Sequence, residues 1–93
     1  MLNSESALSR EATIKNELGL HARSAAKIAK LAHPAIGSVW IVKGDQKADA
    51  CSIVDILTLA CEKGTRIPIC VEDKADRQIL EDITKLVESG FGE

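Results

Sequence analysis

The apolar residues of this chain switch repeatedly between a period of two and a period near 3.6, and that switching limits the folds open to it. "ATIKN", residues 12–16, alternates as a short strand would. Residues 22–33 then repeat every third or fourth position, with Ala25, Ile28, Ala29 and Ala32 on one face and Arg23, Lys27 and Lys30 on the other. Pro34 is expected to end that helix, because the residue before a proline resists helical dihedrals. "AIGSVWIVK", residues 35–43, alternates again, and "KGDQ" carries hairpin turn chemistry into a polar returning strand over residues 46–50. A second helix runs from Ser52 to about Glu62, closed by Lys63 and Gly64. "TRIPICVE" is a strand with Ile67, Ile69 and Val71 on one face, and Pro68 by itself argues for a sheet edge. Asp73 and Asp76 resemble a capping box for a third helix whose apolar face is Ile79, Leu80, Ile83, Leu86 and Val87, stopped by Gly90.

The resulting order is βαββαβα. With 93 residues there is room for one core, so residues 11–93 are read as a single α+β domain and the polar residues 1–10 as a flexible arm. An antiparallel four-stranded sheet covered on one face by three helices satisfies all the apolar stripes at once. Trp40 and Phe91 are the only aromatic residues. The core must therefore be aliphatic, and a base-stacking platform for single-stranded nucleic acid, which needs several aromatic residues, loses ground. A net charge of −2 argues against a general polyanion binder. No apolar run reaches the roughly 18 residues of a membrane span, and residues 1–10 lack the charged start and apolar core of a signal peptide. Cys51, Cys61 and Cys70 lack metal-ligand spacing and read as free thiols, which places the chain in a reducing cytoplasm. No metal or cofactor is expected.

"LGLHARSAAKIAK" puts His21 just ahead of the first helix. Unpaired N–H groups of a first turn, together with the helix dipole, favour an anion and disfavour an imidazolium. A neutral histidine there keeps a ring nitrogen free for attack, and a phosphoryl group on it would meet the backbone donors of Ala22, Arg23 and Ser24. Arg23 adds a guanidinium whose planar fork matches phosphate oxygens. The competing reading is a plain turn histidine with one hydrogen bond. His33, beside Pro34, reads as a helix-end residue.

The second helix has too many apolar positions for one buried face. Ile53, Val54 and Leu57 are assigned to an exposed flank that docks a partner, although a fully buried helix explains the pattern equally well. Ser52 and Asp55 form the S-x-x-D variant of a capping box.

Together "GLHARSAAKIAKLA", "SIVDIL" and the closing "ESGFGE" resemble the histidine-containing phosphocarrier protein (HPr) family of the bacterial phosphotransferase system, from about Ala12 to Glu93. The resemblance implies an open-faced β-sandwich with sheet order 1-4-2-3, which moves the Pro68 strand inside the sheet and calls for a missing ladder bond or a bulge there. It implies that His21 takes a phosphoryl group on Nδ1 from enzyme I, charged by phosphoenolpyruvate, and passes it to an enzyme IIA-type acceptor, with Arg23 as its anion partner. Such a protein is a carrier and not an enzyme. Ser52 falls where many members carry a serine targeted by an ATP-dependent HPr kinase/phosphorylase. The usual proline after the arginine is Ser24 here, the lysine before the regulatory serine is Cys51, and the glycine three residues after it is Asp55. Arg23, Lys27 and Lys30 beside the apolar flank suit acidic partners, and the chain is expected to be monomeric. Two alternatives remain: a carrier in a regulatory branch, and an interaction module that binds a regulator without carrying phosphate.

Overall fold

A computed structural model describes residues 7–93 of the chain. Its elements are β1 (Leu8–Thr13), α1 (Ala22–Ala32), β2 (Val39–Lys43), β3 (Gln46–Asp49), α2 (Ile53–Leu57), β4 (Arg66–Val71) and α3 (Arg77–Glu88). The four strands form one antiparallel sheet in the order β1-β4-β2-β3. The helices cover one face, as expected. α3 packs across β1 and β4, and α1 lies between α2 and α3.

Strand alternation builds the core. Ile67, Ile69 and Val71 of β4 meet Ala12 of β1 and Val39 and Ile41 of β2, and all are buried beneath Ala25, Ile28 and Ala32 of α1 and Leu80, Ile83 and Val87 of α3. Branched side chains suit this pleated surface, and alanines let α1 approach it closely. On the open face Trp40 donates its indole N–H to Glu72 (2.6 Å), and the Lys47 ammonium sits 4.1 Å from the ring centroid. Among the described residues no helix is long and apolar enough to cross a membrane.

Several boundaries differ from the sequence reading. β1 begins at Leu8, so Leu8, Ser9 and Arg10 belong to the sheet and not to an arm; residues 1–6 lie outside the described residues. The inward positions of β1 include Arg10, which pairs with Glu81 of α3 at 3.1 Å and so hides the strand's alternation. β2 starts at Val39 because the preceding loop is tied elsewhere: the N–H groups of Ile36 and Gly37 each donate to the buried Asp76 carboxylate at 2.9 Å. Asp76 is thus a cross-chain anchor, and only Asp73 caps the following turn, accepting from the Ala75 N–H. α1 stops at Pro34 through the missing N–H, since His33 itself keeps helical dihedrals (φ −53°, ψ −43°). Pro68 lies in an interior strand. β4 pairs with β1 through an unbroken register, without a bulge, and its ladder with β2 ends at Ile41 and Ile69, one step before Pro68.

α2 is shorter than its apolar run. It ends at Leu57, and Ala60 takes a left-handed φ of 51°. That break lowers Leu59 and Cys61 into the core, where a continued helix would have carried them away. The carbonyls of Leu59 and Ala60 accept from the Lys43 ammonium (2.9 and 3.2 Å), which satisfies acceptors left free at the break.

Candidate functional site

His21 is the N-cap of α1. Its backbone is extended, its N–H donates to Ser24 Oγ at 2.9 Å, and its Nδ1 accepts from the Arg23 N–H at 3.3 Å. Ser24 is fully buried, and its hydroxyl lies within reach of the carbonyls of His21 (3.1 Å) and Gly19 (3.3 Å). A hydroxyl acceptor therefore stands where the family pattern has proline, and it closes the first turn by a capping bond in place of a fixed φ. Gly19 is the residue that lets the approach to this turn close up. Its φ is +66°, and a Cβ there would lie 2.3 Å from the Cys61 carbonyl oxygen.

The chain terminus returns to the same place. Gly90, Phe91 and Gly92 all have left-handed φ (70°, 60° and 74°), and the ring of Phe91 is buried. This curl brings Glu93 back over α1, with Oε2 3.1 Å from His21 Nε2 and Oε1 3.3 Å from Asn16 Nδ2. An ionised carboxylate only accepts, so Nε2 carries the proton. Nδ1, which accepts from a backbone N–H, must then hold a lone pair. Both contacts assign the same tautomer. Burial opposes ionisation of Glu93, but the bonds from His21 and Asn16 and the nearby Arg23 charge outweigh it and hold the carboxyl below its usual value.

Arg23 and Lys30 are exposed on α1. Lys27 is not part of a free basic stripe: its ammonium donates to the Phe91 carbonyl at 2.7 Å, which ties α1 to the terminal curl. Ile53, Val54 and Leu57 are exposed, as expected, and so is Leu18. Ser52 caps α2 by accepting from the Asp55 N–H at 3.2 Å. The reciprocal half of the capping box is absent, because Asp55 Oδ2 accepts from the Asp49 N–H at 2.7 Å instead. His33 is exposed at the far end of α1, away from His21.

The closing "ESGFGE" thus meets "GLHARSAAKIAKLA" at the start of α1, whereas Cys51, just ahead of "SIVDIL", lies at the other end of that helix against the Ala32 carbonyl. The family model described as PTS HPr component phosphorylation site matches residues 8–89. The chain belongs to the HPr family. A phosphocarrier protein NPr from Shewanella violacea is 38% identical over 86 residues, covering 92% of this chain and 94% of that one. A phosphocarrier protein HPr from Neisseria meningitidis is 33% identical, covering 92% and 97%. Among solved structures, HPr-C-His from Thermoanaerobacter tengcongensis matches with a TM-score of 0.85 and 31% identity, covering 92% of this chain and 97% of that one. The chain therefore has the fold and family of the phosphotransferase-system carriers, proteins that carry a phosphoryl group and work with the enzymes of that system.

Two residues of this cluster, Asn16 and Glu93, escape a local reading. Both are more than 70 positions from a partner that matters, and the one signal in the sequence is the flanking of Phe91 by two glycines.

Proposed function

We propose that the chain is a cytoplasmic, monomeric phosphoryl carrier in which His21 accepts a phosphoryl group from phospho-enzyme I and passes it to an enzyme IIA-type acceptor. The observation that carries this reading is the seating of Nδ1 at the start of α1, with its lone pair assigned and the Arg23 N–H 3.3 Å away. In the transfer step that lone pair attacks phosphorus and the donor's P–N bond breaks. Its electron pair returns to the donor nitrogen, and His21 leaves as a phosphoimidazolium still protonated on Nε2. As Nδ1 takes phosphorus it releases the Arg23 N–H, so the incoming oxygens face that donor, the first-turn N–H groups of Ala22 and Ser24, which have no helical partner, and the guanidinium of exposed Arg23. Transfer onward reverses the step.

Partner docking is assigned to Ile53, Val54 and Leu57, with Arg23 and Lys30 supplying the positive rim and Lys27 left to its structural bond. Ser52 acts mainly as a cap and is a poor substrate for an HPr kinase/phosphorylase, because Asp55 holds a negative charge one turn away. Incubation with enzyme I and phosphoenolpyruvate should add one phosphate that is acid-labile and base-stable. His21→Ala should abolish that gain and leave the fold intact, and His33→Ala should not. Phosphate appearing on the His21→Ala protein would overturn the assignment.

A further inference from the structure

The terminal curl carries two local costs side by side. Phe91 is a non-glycine residue held at φ 60°, a region that disfavours L side chains. Asn16 is 6% exposed, and its Oδ1 is buried without a partner among the described residues. The orphan has a clear origin. Both amide protons of Asn16 are committed to acceptors, the Gly19 carbonyl at 2.8 Å and Glu93 Oε1 at 3.3 Å, and holding them there leaves its carbonyl where no described residue donates to it. Backbone strain and an unpaired buried acceptor persist only where the surroundings over-determine them, and such costs cluster at functional sites. Here the surroundings are the buried Phe91 ring, the Lys27 bond to the Phe91 carbonyl, and Asn16 itself. All three fix one thing, the Glu93 carboxylate against Nε2 of His21.

We infer that Glu93, mounted by Asn16 and the Lys27–Phe91 bond, is a positioning residue for phosphoryl transfer. It keeps the proton on Nε2 before, during and after the step. This rests on the proposed function of His21. With the proton held, the nucleophilic lone pair is always on Nδ1, facing the helix start. When Nδ1 forms its bond to phosphorus the ring becomes cationic, and the carboxylate already lies 3.1 Å from the positive edge. That charge needs no solvent reorganisation to be met. The same proton makes the ring a better leaving group when the P–N bond breaks toward the next acceptor, since the departing imidazole is then neutral. Glu93 touches the ring and not the phosphoryl group.

The test is the tautomer, read from the ring ¹⁵N shifts of His21 in labelled protein at neutral pH, in parallel with the rate of phosphoryl acceptance from enzyme I. Wild type should show the Nε2–H form. Glu93→Ala should mix the tautomers and slow acceptance by about tenfold, the low end of the roughly 10–100-fold loss seen when the hydrogen-bonded partner of a metal-bound histidine is removed. Glu93→Gln keeps the shape but has one acceptor oxygen for two donors, so it should fall between the two. Unchanged tautomers in Glu93→Ala would overturn the inference, including the case where the rate falls, since Glu93 would then act only through partner contact. A wild-type protein that takes no phosphate would refute the carrier reading, and the ¹⁵N shifts would still decide the role of Glu93.

Discussion

Replacing Ser24 with alanine tests how this chain builds the start of α1 without the proline of its family. The hydroxyl is fully buried and accepts the His21 N–H at 2.9 Å, so the variant loses that bond and leaves a half-buried N–H without a partner, while the Gly19 and His21 carbonyls that its proton reaches keep other donors, the Asn16 amide and the Ala25 N–H. A neutral bond contributes about 1 kcal/mol net, and an unmet buried donor costs roughly 1–3 kcal/mol, toward the low end here because His21 is only partly buried. The sum is about 2 kcal/mol. For a domain of this size that is a fall of roughly 8–16 °C in Tm, measurable by circular dichroism or by the urea midpoint at unchanged slope. Acceptance of phosphate should slow as well, since the backbone under the imidazole is no longer pinned. Ser24→Pro should lose the same bond and regain about 0.4–1 kcal/mol by stiffening the unfolded chain, so it should be the more stable of the two variants. Equal urea midpoints for wild type and Ser24→Ala would refute the claim that a capping hydroxyl stands in for the ring.

Other outcomes follow from the same geometry. Arg23→Lys keeps a charge and loses the fork, so transfer should slow by about 5- to 150-fold, equivalent to roughly 1–3 kcal/mol, with an unchanged circular dichroism spectrum; equal rates in wild type and Arg23→Ala would reduce Arg23 to a solvated surface residue. Ser52→Ala should lose about 0.5–2 kcal/mol of stability as a cap, and ATP-dependent labelling of Ser52 should be slow and improve in Asp55→Gly, an expectation that rapid stoichiometric labelling of the wild type contradicts. The Glu88 carboxyl is held below its usual value first by the Thr13 N–H and then by the bond from Lys15, which together outweigh the opposing effect of burial. Its folded state therefore prefers the ionised form, a contribution complete above the ordinary Glu value of about 4.3 and lost as pH falls through the lower folded value. Acid unfolding curves of Glu88→Gln should be flatter in that window, and coincidence with wild type would remove the tie between β1 and α3 from the account.

What the sequence made legible was periodic and local. α1, α3 and the β2–β3 hairpin follow from spacing and turn residues, and His21 from its place before a helical period. β1 starts earlier than local alternation shows because its inward Arg10 finds its counter-charge on α3, which no window around residue 10 contains. α2 is shorter than its apolar run implies because Leu59 and Cys61 continue a run whose burial requires leaving the helix, a tertiary demand that overrides propensity. Asp76 resembled a cap and turned out to anchor a loop forty residues away. Lys27 matched a basic stripe by spacing, but its ammonium is drawn to a carbonyl exposed by the curl at Phe91. Glu93 and Asn16 are the extreme case, since their roles depend on where the last residue lands. The resemblance supplied the sheet order that Pro68 alone would have reversed.

The central claim is that the phosphoryl group rides on one nitrogen of one histidine. It is tested most directly by phosphorylating ¹⁵N-labelled protein with enzyme I and phosphoenolpyruvate and measuring which ring nitrogen couples to phosphorus. The account predicts a single ³¹P–¹⁵N coupling, to Nδ1 of His21, with Nε2 still protonated. Coupling to Nε2, or phosphate on His33 or on a serine, would contradict it.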